Sequence, residues 1–438
     1  KNMKKTLLLI IISIVICEHS ICQIASQNKY NKTHPLSIIW KEMRYNFAFP
    51  EKLNDINLDS LYLAYLPLLE NAQDNYDFYR VLSSFMSHFD EAHTRIIAHN
   101  NISDVPPIET ANWGTDIFVK NVSKKVAKKI PVGSRIIYIN DCPVLEYLKD
   151  SVMPYIGSTT PHWKFDKAVS ELLAGRPLSN VRVKFHTPQG KTKEITLTRD
   201  YHSNNKQEKM ALPVPPPLSV RFLDNGIGYI HLSTCSWDKV EEIQKVFNAN
   251  LTQILDCKGL IIDVRGNRGG SDEAWSPIAN HLLTEKEYDF KGKWKCRIHS
   301  YMNNANSMYT LPYQPYSNIV PDSLKFTGPV VFLSGKYVGS ATEDFIQLMK
   351  EHQRGLIVGE PTVGCIGEPM VVPLNNDFSV MLCAKKYVDK DGNQPNETGI
   401  LPDVVVKQDY DSYISGKDLP YEYAISTLTG MIKENTKP

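Results

Sequence analysis

The eight cysteines of this 438-residue chain are scattered: no two form a CxxC pair, and none has a histidine nearby at zinc-ligand spacing. A structural zinc site is therefore not written into the sequence. Charge of one sign is also lacking. Lysine plus arginine number 49 and aspartate plus glutamate 48, a net charge of +1, which argues against a nucleic-acid or anionic-membrane partner. No internal repeat is apparent, and no apolar run is long enough to span a bilayer comfortably. What is present is ordinary for a globular protein: 42% hydrophobic and 22% charged residues, and enough length for two or three domains.

Lys4 and Lys5 precede an apolar run from Leu7 to Cys17, closed by Glu18 and His19. This is the anatomy of a secretory signal, with Ser20 and Cys22 placed at −3 and −1 of a cleavage site. Residues 1–22 are expected to be a signal peptide, and the protein to be exported: periplasmic, held at the cell envelope, or secreted. A short N-terminal anchor is the alternative, as is lipid attachment at Cys17 or Cys22, although isoleucine rather than a small residue precedes each. Contact with a membrane is expected only through this segment or such an anchor. Removing the signal leaves six cysteines. An exported protein permits disulfides, and buried free thiols fit the spacing at least as well.

Three units follow. Residues 30–110 read as a helical domain: "NYDFYRVLSSFMSHF" puts Phe78, Leu82, Phe85 and Phe89 on one stripe, with Asp74 as its cap. Residues 112–205 read as an α+β module. It contains a strand and turn in "GSRIIYINDCPVLEY", a helix in "HWKFDKAVSELLAG" stopped by Gly175, and a hairpin around Pro188-Gln189-Gly190. The prolines of "ALPVPPPLSV" mark a boundary. Over 218–430, strands such as "KGLIIDV" and "GPVVFLS" alternate with helices, the pattern of a layered α/β core.

Four strings carry candidate chemistry. In "VVFLSGKYVGSATEDF", Ser340 and Glu343 form a capping box, which needs no further role. A serine between a buried strand and a helix head is also placed where free amides and the helix dipole stabilise an oxyanion. "DVRGNRGGS" reads either as a tight turn or as a loop that brings backbone close to a ligand. It lacks the Lys-Ser/Thr of a phosphate loop. His93 in "FDEAHT" lies five residues from His88, off any shared helical face, so the two make no metal pair. Glu397 in "NETGILPD" is, alone, a turn carboxylate.

Taken in order, "DEAHT", "VGSRIIYINDCPV", "DVRGNRGG", "SATE", "GEPTVG" and "ETGILPD" resemble the tail-specific, or C-terminal processing, serine peptidases, and within them the tricorn-like branch. The resemblance implies a ClpP/crotonase-like layered α/β core, an N-terminal helical domain and a PDZ-like module that adds a peptide as a strand. It implies a peptide or protein substrate, with no metal or other cofactor. The Ser-Lys branch keeps a lysine base soon after the G-x-x-T-x-G turn, where this chain has Cys365 and Ile366. The implied machinery is therefore Ser340 as nucleophile, His93 as base and Glu397 behind the imidazole. The amides of Gly269 and Ala341 serve the oxyanion, and Gly270 and Gly339 lie against substrate. Gly270 is close enough to Gly269 to share that task. A serine that the branch carries before its histidine is Ala92 here.

Glu343 is read as the capping partner in preference to a catalytic acid. "NWGTDIFV" offers Gly114 but no second glycine for a carboxylate-binding loop. The stretch from Lys291 to Tyr316 reads as an exposed insertion, with a share in the substrate cleft as the other possibility. Two competitors stay open: a non-catalytic peptide- or ligand-binding protein on the same scaffold, and Cys365 as a thiol nucleophile without an identifiable base.

Overall fold

The computed structural model describes residues 32–203, 210, 212–298, 307–312 and 315–435. The expected signal segment lies outside the described residues.

A six-stranded sheet organises the C-terminal half. Its order is Val404–Val405, Leu356–Gly359, Val330–Ser334, Gly259–Asp263, Ile227–Leu232 and Leu218–Phe222, parallel throughout except for the last pair. The inner strands are almost wholly apolar because both of their faces are covered. Leu260, Ile262, Val330 and Phe332 join one core with Phe247, Ile278 and Phe345. Ile261, Val331 and Leu333 pack on the other side against Ala424 and Leu428 of the helix Leu419–Asn435. This is the alternating α/β pattern expected from residue 218 onward.

The N-terminal helices cover 32–46, Leu58–Glu70 and Asn75–Ser87. Asp74 caps the third by accepting the Asp77 amide at 3.0 Å, and Phe78, Leu82, Phe85 and Phe89 are all buried. Their core is shared with Phe378, Val380, Leu382 and Cys383 of the long strand Phe378–Val388. The short strand Arg95–Ala98 pairs antiparallel with that strand, Arg95 opposite Met381. The segment before residue 95 is thereby pinned to the C-terminal half, which decides where His93 falls.

Between these lie the antiparallel strands Ile108–Trp113, Asp116–Val122, Arg135–Ile139, Asn180–His186 and Thr192–Thr198, with the helix Pro161–Ser170. The turn at Asn140-Asp141 has φ of 48° and 66°, the left-handed pair a tight hairpin requires. Gly175 does not stop the helix. The helix ends at Ser170, Leu172 and Leu173 drop into the core, and Gly175 instead exchanges two backbone hydrogen bonds with Asp104 at 2.9 and 3.0 Å. This unit holds the C-terminal half through Thr160 Oγ1, which donates to the Val363 carbonyl at 2.8 Å, and Lys336 Nζ, 2.9 Å from Asp166.

The insertion reading of Lys291–Tyr316 needs correction for the described part. Lys293–Cys296 is a strand paired with Phe378–Val388, and Trp294, Leu311, Pro312 and Tyr316 line the main cleft. Cys142, Cys235, Cys257, Cys296, Cys365 and Cys383 are all free thiols. Among the described residues no helix is long and apolar enough to cross a membrane.

Candidate active site

Ser340 stands where the chain leaves the sheet after Val330–Ser334 and enters the helix Ala341–Glu351. Its φ of 53° and ψ of −132° are unusual for a residue with a Cβ, a conformation costing about 1–3 kcal/mol. Glu343 holds it there. The buried Glu343 carboxylate accepts the Ser340 amide at 3.0 Å, the Gly364 and Cys365 amides at 2.8 Å each, and the Thr362 hydroxyl. Burial pushes this carboxyl up and the hydrogen bonds pull it back. With its oxygens so engaged, Glu343 is a scaffold for the turn and has nothing left for catalysis. Cys365 Sγ also accepts the Ser340 amide, at 3.2 Å.

Ser340 Oγ lies 3.1 Å from His93 Nε2. The imidazole is buried, and burial is the main cause of a lowered pKa; Glu91 opposes the shift and Arg95 adds to it. Neutral imidazole at neutral pH is the form that can take a proton. The loop bearing it is tied down where the Ala92 amide donates to Thr159 Oγ1 at 3.0 Å.

Behind the ring, the structure departs from expectation. Glu397 is exposed, accepts a hydrogen bond from Gln394 Nε2 at 3.3 Å, and makes none with His93. The acidic group beside His93 Nδ1 is Glu91, with Oε1 at 3.9 Å; neither of these two buried atoms has a hydrogen-bond partner among the described residues. Glu91 is fully buried, and its other oxygen accepts from Thr94 Oγ1 at 2.6 Å. The same loop thus supplies a carboxylate two residues from the histidine. Glu91, His93 and Cys383 also bring three buried ligand-type atoms within 4.8 Å. Burial pushes the Cys383 thiol well above the ordinary thiol value.

The glycine turn forms the opposite wall. Asp263 is committed to structure: it accepts from Tyr229 Oη at 2.7 Å and from Arg265, which also binds Asp418. The Gly269 amide donates to Asn267 Oδ1 at 3.0 Å and so is not free for an oxyanion. Gly269 matters for space, because a Cβ there would stand 2.7 Å from Ser340 Cβ and 2.9 Å from the Ala341 nitrogen. The amides of Ala341 and Gly270 have no acceptor among the described residues. Gly339 packs close to Cys365, where a Cβ would sit 3.1 Å from Sγ. His93, Ser340, Ala341, Gly269, Gly270 and Gly339 line one cleft of about 1120 Å³, walled in part by Arg268 over the Trp163 and Tyr337 rings at 5.7 and 5.8 Å.

Residues 226–406 match Peptidase family S41, and residues 36–87 match the tricorn protease C1 domain. The chain carries a peptidase family S41 domain and a tricorn protease C1 domain. Similar proteins include a chloroplastic C-terminal processing peptidase of Tetradesmus obliquus, 27% identical over 243 residues, 54% of this chain and 48% of that protein. A carboxyl-terminal-processing protease of Synechocystis is 25% identical over 287 residues, 64% of this chain and 60% of that one. The chain spans about half the length of the curated relatives it matches. Its fold is like that of the crystal structure of mature CPAF, at a TM-score of 0.69 and 16% identity, covering 93% of this chain and 99% of that one.

The S41 match takes in Ser340, Gly269, Gly270 and Cys365 but not His93, which lies between the two matched segments. The S41 strings directed attention to Glu397 and away from Glu91, although "FDEAHT" displays that acid beside the histidine.

Proposed function

We propose that this protein is a serine endopeptidase acting through an acyl-enzyme. The carrying observation is the 3.1 Å contact between Ser340 Oγ and His93 Nε2 across one cleft. Ser340 Oγ attacks the peptide carbonyl carbon while His93 Nε2 takes the hydroxyl proton. The oxyanion accepts from the Ala341 amide at the helix head and from Gly270. His93 then passes the proton to the leaving amine, and a water activated by the same imidazole releases the acyl group. This cycle needs the neutral His93 proton on Nδ1, facing Glu91. A closure of about 1 Å makes that a charge-assisted hydrogen bond that steadies the imidazolium. Glu91 therefore takes the role first assigned to Glu397. Cys365 is no rival nucleophile, because burial and the Glu343 charge push its thiol well up.

The substrate is a peptide or unfolded protein segment, and residues 112–205 serve as its PDZ-like docking module. The Lys4-Lys5 pair and the apolar run after it support an exported enzyme. The test is labelling by a fluorophosphonate together with hydrolysis of a casein-type substrate. Wild type is expected to label at Ser340, while Ser340→Ala and His93→Ala abolish turnover and keep the thermal midpoint. Retained turnover in either variant rejects the mechanism. Peptide binding without labelling identifies the non-catalytic binder instead.

A further inference from the structure

The cleft does not end at Ser340. One helical turn further along the Ala341–Glu351 helix, Asp344 faces the same space with only 9% of its surface exposed. Its Oδ1 is buried and has no hydrogen-bond partner among the described residues. Such an atom is costly to leave unmade. Asp272 lines the same space, its carboxylate oriented by Tyr316 Oη at 3.2 Å and Trp275 Nε1 at 3.1 Å. Phe290, Trp294 and Tyr316 give this end of the cleft aromatic walls.

The local charge is unbalanced. Among the described residues, the cation acting on Asp344 and Asp272 is Lys385, and it is already paired with Glu368. Burial is the main cause raising both Asp344 and Asp272, and the charges of Asp272 and Glu343 raise Asp344 further. Lys385 opposes these shifts, but burial lowers its own pKa. An incoming cation would satisfy the unpartnered oxygen, draw the proton off Asp344 and fill an aromatic-walled slot suited to an alkyl stem.

We propose that Asp344, backed by Asp272, forms the floor of a substrate subsite for the basic side chain of an arginine or lysine next to the scissile bond. Reach agrees with this. Positions four apart on a helix are separated by about 6 Å, which an extended lysine or arginine side chain spans. The subsite rests on the reading of the cleft as a peptidase site, and its test separates the two.

Wild type and the Asp344→Asn and Asp272→Asn variants are assayed on paired fluorogenic peptides differing only by arginine against citrulline, or lysine against norleucine. Fluorophosphonate labelling checks that each variant is folded and competent. Wild type should favour the charged member by about 100-fold or more in kcat/KM. Asp344→Asn should collapse that ratio to within about threefold of unity, and Asp272→Asn should reduce it in part. The same pairs are titrated against Ser340→Ala, where the ratio is read as Kd and needs no turnover. A wild-type ratio near one, or a ratio that survives Asp344→Asn, overturns the subsite. A ratio present in binding with no hydrolysis in wild type retains the subsite and overturns the peptidase.

Discussion

Ser340 Oγ and His93 Nε2 meet at 3.1 Å although 247 positions separate them in the chain. The strand pairing of Arg95–Ala98 with Phe378–Val388 makes the meeting possible. His93 is two residues from that strand, and Ser340 is fixed by Glu343 beyond the C-terminal end of the interior strand Val330–Ser334. Neither end of the contact is an independent loop. Both groups are therefore held in place by the fold itself.

The orienting carboxylate is the first thing to test. Glu91→Gln should lower kcat by about 100-fold or more, because the imidazolium loses its counter-charge. The pH profile supplies an independent sign. The rate needs neutral His93 and falls as pH drops through its pKa, which burial places below the ordinary histidine value. Glu91 is a raising influence on that pKa, so Glu91→Gln should move the acid limb to still lower pH. Glu397→Gln, an exposed change, should leave kcat/KM within about twofold. The opposite pattern in the two variants would return the role to Glu397.

What was legible in the sequence follows burial. The runs 260–262 and 330–333 inside "KGLIIDV" and "VVFLS" are uninterrupted apolar stretches because helices cover both faces, so their strands and the layered core could be read directly. The Ser340–Glu343 capping box was equally plain, since its chemistry is local. His93 was found through the family resemblance, and no periodicity pairs it with Ser340. Glu397 was carried over by the same route, but the turn that bears it leaves its side chain exposed. Gly175 misled because a glycine after a helical pattern is a common stop, whereas here two buried leucines take the chain off the helix five residues earlier. The aromatic end of the cleft was harder to read because Trp294 is placed by pairing with the long strand and Tyr316 by pairing with Tyr288, contacts that no local pattern displays.

Glu343 should prove essential for stability more than for chemistry. Glu343→Ala removes the acceptor for three amides and one hydroxyl in a buried turn. Unfolding in urea should show a loss of about 3 kcal/mol or more. A loss under about 1 kcal/mol would mean that the turn reorganises without it.

Cys365 supplies a second acceptor for the Ser340 amide and carries no chemistry of its own. Cys365→Ala leaves that amide bonded to Glu343, so turnover should stay within about tenfold of wild type and labelling should remain at Ser340. Alkylation by iodoacetamide should be slow in the folded protein, because the thiol is buried and held protonated. Loss of all labelling in Cys365→Ala would transfer the nucleophile to sulfur.

Two glycines of the same turn should respond oppositely to a methyl group. Gly269 and Gly266 both adopt positive φ, 94° and 83°, so alanine costs about 1 kcal/mol of backbone strain at either. Their surroundings differ. A Cβ at Gly266 meets nothing within 4 Å, while one at Gly269 lies 2.6 Å from the Gly339 carbonyl and 2.7 Å from Ser340 Cβ. Gly269→Ala must therefore push the nucleophile off His93 or push apart the chain around the oxyanion donors. A displacement of about 1 Å there should cost about 100-fold in kcat. Gly266→Ala should keep kcat within about twofold and lose only the strain energy in a denaturant titration. Equal kcat losses in the two variants would show that the turn acts as a flexible whole and that the close approach of Gly269 to Ser340 does not position the nucleophile.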